Sequence, residues 1–202
     1  MDVKKRIVLE AESLFLKFGI RCVSMDDICQ KLSISKKTLY QSIKDKEELI
    51  KKVLAHHALR EKAAFEKIAA SSENAIDEMF QITKHVLQLL QNMNPTTKID
   101  LQRLYREQYD KMMNERFDFI YSNIKNNLEK GINDGIYRDD LNTDIIAKLY
   151  MVKSMSVLDE NLFPKEDYDT KKVFIELVIC HLKGIISEKG KVLFNQHIQS
   201  IQ

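Results

Sequence analysis

The residues of this chain best equipped to engage another molecule stand between Ser24 and Leu49, in SMDDICQKLSISKKTLYQSIKDKEEL. There Lys36, Lys37, Thr38, Tyr40 and Gln41 put two ammonium groups, two hydroxyls and an amide on the outward side of one short helix, while Leu39 and Ile43 turn back to a core. Such a surface carries the groups that meet phosphate oxygens and base edges in a DNA major groove. Lysine is a donor to guanine O6 and N7, threonine a contact for a thymine methyl or a phosphate, and glutamine a partner for adenine. Ser24 brings a hydroxyl to a helix N-terminus, where free backbone N–H groups already favour an anion; acting as a cap alone is the equal alternative. Ser35, Lys44 and Lys46 complete the candidate set.

Local signals place these groups on helices. Ser24 is an N-cap that Asp27, three residues on, answers as in a capping box. Met25, Ile28, Cys29 and Leu32 then recur on one helical face. Ser33-Ile34 makes the turn, Ser35 caps a short helix from Lys36 to Ser42, and the run from Asp45 to Glu48 caps the next. Ahead of this pair, a helix from about Val3 to Phe18 presents Ile7, Ala11, Leu14, Phe15 and Phe18 on one side and stops at Gly19. After it, a helix from Lys46 to about Ala70 is long enough to pass from head to body without a flexible linker. The pattern is a helix-turn-helix.

At these residues the chain resembles the tetracycline-repressor (TetR/AcrR) type of one-component bacterial regulators. The shared elements are Leu14-Phe15-Leu-Lys-Phe18-Gly19, Ser24-Met-Asp-Asp-Ile28, Ser35-Lys-Lys-Thr-Leu-Tyr40 and Ile43-Lys-Asp-Lys-Glu-Glu-Leu49. Lys37, Ser42 and Ile43 stand where that family often has glycine, histidine and phenylalanine; Ile43 keeps the apolar plug, while Lys37 and Ser42 prevent an operator preference from being carried over. The resemblance implies an all-α chain: residues 1–48 as a three-helix DNA-binding domain, and residues 49–202 as a helical-bundle domain for effector binding and dimerisation. It also implies phosphate contacts at Tyr40 and Lys46, base contacts near Lys37 and Thr38, and a homodimeric repressor that a small, hydrophobic effector releases from a pseudo-palindromic operator. A constitutive DNA-binding module whose body recruits a protein is the alternative.

Composition agrees with helices. Only 5 Gly and 2 Pro occur among 202 residues rich in Leu, Ile, Lys and Glu. Formal net charge is only +2, but the first 55 residues hold twelve Lys/Arg against eight Asp/Glu and the remainder twenty against twenty-two, so the excess sits at the head. No apolar run approaches the ~20 residues of a membrane helix, so no membrane partner and a cytoplasmic location are expected. Cys22, Cys29 and Cys180 have no metal-ligand spacing, and an odd count fits a reducing compartment. His56 and His57 point roughly 100° apart on a helix and suggest no metal site. No nucleophile–base set, paired carboxylates, phosphate-cradling Gly loop or zinc spacing is found, so neither an enzyme nor a cofactor is expected.

In the body, further helices are expected over about 74–91, from a Thr96 or Thr97 cap to Tyr105, over 109–130, from an Asn142 or Thr143 cap to Leu158, and from Asp169 or Thr170 to Ile186. An amphipathic tail from Val192 to Ile198 would add a turn or two. The resemblance implies an effector cavity enclosed by these helices, with Phe80, Tyr105, Tyr109, Met113, Phe117, Tyr121 and Tyr150 as its candidate wall, a place that suits aromatic and thioether groups; ordinary helix packing is the competing reading for each. The last core helix is apolar on more than one face. That doubled face, with the family resemblance, points to a dimer interface at Leu149, Val152, Met155, Phe174, Leu177, Val178, His181 and Ile185.

Overall fold

The computed structural model describes residues 2–92 and 94–200, and they form ten α-helices closed by a short 3₁₀ turn. In order these are α1 (Val3–Phe18), α2 (Met25–Leu32), α3 (Lys36–Ser42), α4 (Lys46–Ser71) and α5 (Ala75–Asn92). There follow α6 (Pro95–Leu104), α7 (Arg106–Asn133), α8 (Thr143–Ser156), α9 (Thr170–Ile185) and α10 (Glu188–His197). Met93, which follows α5, lies outside the described residues. The contacts group the chain into two compact units, Met1–Ala64 with Asn92–Asn114, and Phe65–Gln91 with Glu115–Gln202. Helices α4 and α7 each contribute to both.

The first unit is built on α1, whose Ile7, Ala11 and Phe15 meet Ile28 of α2, Leu39 of α3, and Leu49 and Ile50 of α4 in one buried cluster. Helix α6 belongs to this unit: Leu101 is buried in the same cluster, and Tyr105, Tyr109 and Met112 pack against it. The capping expectation for α6 is corrected. Asn94, not Thr96 or Thr97, is the N-cap, because Pro95 at the first helical position suits its fixed φ and missing N–H, leaving Asn94 to accept the Thr96 amide. Thr97 instead donates its hydroxyl to Phe15 O at 2.9 Å, and Asn94 Nδ2 donates to Lys17 O at 3.0 Å. Phe15 O, which also accepts the Gly19 amide, thus gains a second donor from α6, and the Lys17 carbonyl at the end of α1 finds one in the α6 cap.

In the second unit α5, the C-terminal part of α7, α8, α9 and α10 enclose Ile76, Met79, Phe80, Leu128, Tyr137, Val178 and Leu182. Tyr137 is its polar pin: the hydroxyl lies 2.9 Å from Asn127 Oδ1 and 3.1 Å from Ala75 O, and Asn127 Nδ2 donates to Ala75 O. Its ring leaves no room at Gly131, where a Cβ would stand 2.1 Å from a ring carbon. Tyr137 and Ile186 form an isolated antiparallel bridge, which ties the chain after α7 to the end of α9.

Candidate nucleic-acid interface

The cap side chains that define α2 and α3 also set what those helices offer to a ligand. Ser24 Oγ accepts the Asp27 amide at 3.1 Å and donates its own proton to Asp27 Oδ2 at 2.6 Å, while Ser24 N donates to the same carboxylate at 2.7 Å. These bonds from Ser24, the hydroxyl first, hold Asp27 below the usual carboxylate range. Ser33 turns the chain between the helices in the left-handed region, at φ 53°, with Ile34 N closing onto Cys29 O. Ser35 Oγ accepts the Thr38 amide at 3.0 Å and lies 2.8 Å from Thr38 Oγ1, so the two hydroxyls are partners in the α3 cap.

On the outward side of α3, Lys36 reaches back to Asp26 at 2.7 Å, which ties α3 to α2 and holds the ammonium above the ordinary lysine range. Lys37 and Gln41 are exposed and stand four residues apart, hence on one helical face. Tyr40 is 49% exposed despite its size. Lys44 is exposed beyond the end of α3, its backbone amide bonded to Glu48 Oε2. Lys46, the expected phosphate contact at the start of α4, is half-buried. Its Nζ is turned inward and donates to Ile20 O at 2.7 Å and Val23 O at 2.6 Å, and burial pulls the ammonium below the ordinary lysine value.

Between α1 and α4 lies a group that the sequence did not reveal. Glu12 of α1 is only 3% exposed. It receives His57 Nδ1 at 2.9 Å on one oxygen and His56 Nδ1 at 3.2 Å on the other, with Arg60 Nη2 at 2.9 Å. The divergent directions of adjacent histidines are spanned because the two carboxylate oxygens diverge as well. Burial raises Glu12, but the His57 hydrogen bond, the Arg60 and His57 charges and the His56 hydrogen bond together bring it below its ordinary value. A carboxylate one position from the apolar Ala11, with two histidines and an arginine on one later helix, is the signal that could have found it. Among the described residues no cluster of three or more His, Cys, Asp or Glu could hold a metal ion, and no helix is long and apolar enough to cross a membrane.

The residues of the expected effector wall are divided between the two units. Tyr105, Tyr109 and Met113 belong to the first unit, where the two tyrosines cover the head core. Phe80, Phe117, Tyr121 and Tyr150 belong to the second. There Phe80 is core beside Phe194, Tyr150 is buried against His181 with ring centroids 4.6 Å apart, and Tyr121 donates to Asp144 at 2.8 Å. An open groove of about 1010 Å³ in this unit is lined instead by Arg138, Asp140, Lys183, Glu188 and neighbours.

The expected dimer set also divides. Phe174, Val178 and Ile185 are buried in the core of their own unit, so they are not a contact surface; this accounts for one of the two apolar faces of α9. Leu177, Met155 and His181 are half-buried. What faces outward is a stripe on α8: Ile145, Leu149 and Val152, which are 52%, 49% and 60% exposed.

Residues 7–53, which span α1 through the start of α4, match the family model of bacterial regulatory proteins, tetR family. No curated protein matches the chain. Among solved structures, a transcriptional regulator from Cytophaga hutchinsonii superposes with a TM-score of 0.69 at 18% identity, covering 91% of this chain and 98% of that one. The ketosteroid transcriptional regulator KstR2 of Mycobacterium tuberculosis gives 0.58 at 16% identity over 93% and 96%. A gamma-butyrolactone receptor (ArpA-like protein) gives 0.65 at 12% over 98% and 95%. At such identities the likeness is one of fold. The capped helix pair, the exposed outward face of α3 and the family match coincide on the same residues, so residues 7–53 are a helix-turn-helix segment of the tetR-family type.

Proposed function

We infer that the protein acts in the cytoplasm as a homodimeric repressor that holds a pseudo-palindromic operator until a small, hydrophobic effector releases it. The observation that carries the reading is the outward stripe of Ile145, Leu149 and Val152 on α8. Large apolar side chains aligned at i, i+4 and i+7 leave a continuous patch that a second copy would cover in a two-fold interface. One seven-residue reading helix spans few base pairs, so two copies, one helical turn of DNA apart, supply the missing specificity. Lys37 and Gln41 are assigned to base edges. Tyr40, Lys36, Lys44 and Thr38 are assigned to the backbone beside them, with the helix N-termini at Ser24 and Ser35.

The effector is proposed from the names of two fold neighbours, a ketosteroid regulator and a gamma-butyrolactone receptor, both of which refer to compact lipophilic molecules. Release needs only that the effector prefer the conformation in which the two reading helices no longer match the groove. The core placement of Phe80 and Tyr150 favours a second reading, in which the body recruits a protein and the head binds DNA constitutively. Sedimentation of the protein with its selected operator, before and after addition of a panel of steroids and lactones, separates the two. Complexes with even numbers of protomers that dissociate with one compound support the repressor; complexes that no compound releases support the second reading.

A further inference from the structure

The four residues that join α1 to α2, Ile20 to Val23, have three backbone groups taken by two charged side chains from outside the helix-turn-helix. Lys46, the first residue of α4, donates to Ile20 O and Val23 O. Asp100, in α6, accepts the Arg21 amide at 2.8 Å. The two side chains act on one another as opposite charges. Helix α6 approaches this segment closely: Gly19 has φ +83°, and a Cβ there would lie 2.5 Å from Thr96 Oγ1 and 3.2 Å from Asp100 Oδ2. Ser24, the cap of α2, follows directly, and α2 carries Asp26, the ion-pair partner of Lys36 in α3. The segment thus leads directly into the cap of α2, whose Ile28 and Cys29 share one buried cluster with Leu39 of α3.

We propose that Lys46 and Asp100 are positioning residues for DNA reading: they latch the Ile20–Val23 segment from α4 and α6 and so set how α3 is offered to the groove, and Lys46 is not a phosphate ligand. Two of the three Nζ protons of the half-buried Lys46 are taken by the Ile20 and Val23 carbonyls, which holds the side chain against the segment between α1 and α2. The inference rests on α3 meeting DNA, and the test separates the two ideas.

Lys46→Met, Lys46→Arg and Asp100→Ala are compared with wild type by amide hydrogen exchange of the free protein, and by titration of the selected operator and a scrambled duplex at several salt concentrations. The latch predicts that Asp100→Ala and Lys46→Met each speed exchange at the Arg21 amide at least tenfold. It also predicts that both weaken operator binding at least tenfold, leave scrambled-duplex binding and the salt slope unchanged, and that Lys46→Arg restores most of the loss. Equal weakening on both duplexes by Lys46→Met, with a slope lower by about 0.9, makes Lys46 a phosphate contact and overturns the proposal. Unchanged exchange at Arg21 in both variants overturns it too. If Lys46→Met fails to fold, Asp100→Ala carries the same comparison. If wild type prefers neither duplex, the reading of α3 falls, while exchange at Arg21 still decides the latch.

Discussion

Replacing Glu12 by glutamine removes the single negative charge that three side chains of α4 share. Glu12 is nearly enclosed, while His56, His57 and Arg60 are a quarter to a half exposed, so on losing the carboxylate they regain water only in part. Breaking a fully buried pair costs about 3–5 kcal/mol; the exposure of the partners reduces this to about 2–3 kcal/mol. For a chain of this size that is a fall in Tm of roughly 5–10 °C. The pH dependence follows from the depressed carboxyl of Glu12. A group lowered in the folded state contributes stability that is complete above its unfolded value, about 4.3, and disappears as pH falls through the folded value. Thermal melts followed by circular dichroism from pH 3 to pH 7 should therefore show a wild-type advantage that is full near neutrality and narrows below about pH 4. A difference under about 0.5 kcal/mol at pH 7, within the range of ordinary surface substitutions, would refute the reasoning, as would one that stays constant down to pH 3.

Gly131→Ala forces a methyl group into the Tyr137 ring and should cost about 3 kcal/mol, whereas Gly184→Ala, with nothing within 4 Å, should be neutral or gain up to about 1 kcal/mol; urea unfolding measures both. Leu149→Glu puts a charge into the α8 stripe of both copies and should weaken dimerisation at least about a hundredfold, read by analytical ultracentrifugation; an unchanged dimer would move the interface elsewhere. Lys37→Ala should lower the salt slope of operator binding by about 0.9 per copy if its ammonium meets phosphate, and should instead relax base preference at one position if it reads guanine; no change in either removes it from the interface.

The head was legible because its boundaries are written in short-range chemistry. Ser24 with Asp27, and Ser35 before Lys36, are caps whose partners lie three residues away, and α1, α2 and α3 fall where those signals put them. Legibility failed where the partner is distant in sequence. Nothing near Lys46 indicates that its ammonium meets carbonyls more than twenty residues earlier, and nothing near Asp100 points to Arg21. The α7 start at Arg106 was expected later because Tyr105, which breaks from helical geometry, carries no Gly or Pro signal. At the other end, α10 is a full helix capped by Ser187 and not a turn or two; Gly190 lies inside it, and the position is glycine because a Cβ there would stand 2.2 Å from Ile136 O. In α9 periodicity reported two apolar faces, but it did not indicate which one the chain covers with its own core.

Use of α3 as a reading helix, in pairs, is tested most directly by selection of bound sequences from a random duplex pool with purified protein. It predicts enrichment of a two-fold symmetric site, with half-sites about one helical turn apart, even numbers of bound protomers and a steep loss of affinity with salt. Binding that is weak and blind to sequence, or an enriched site without two-fold symmetry, would contradict it.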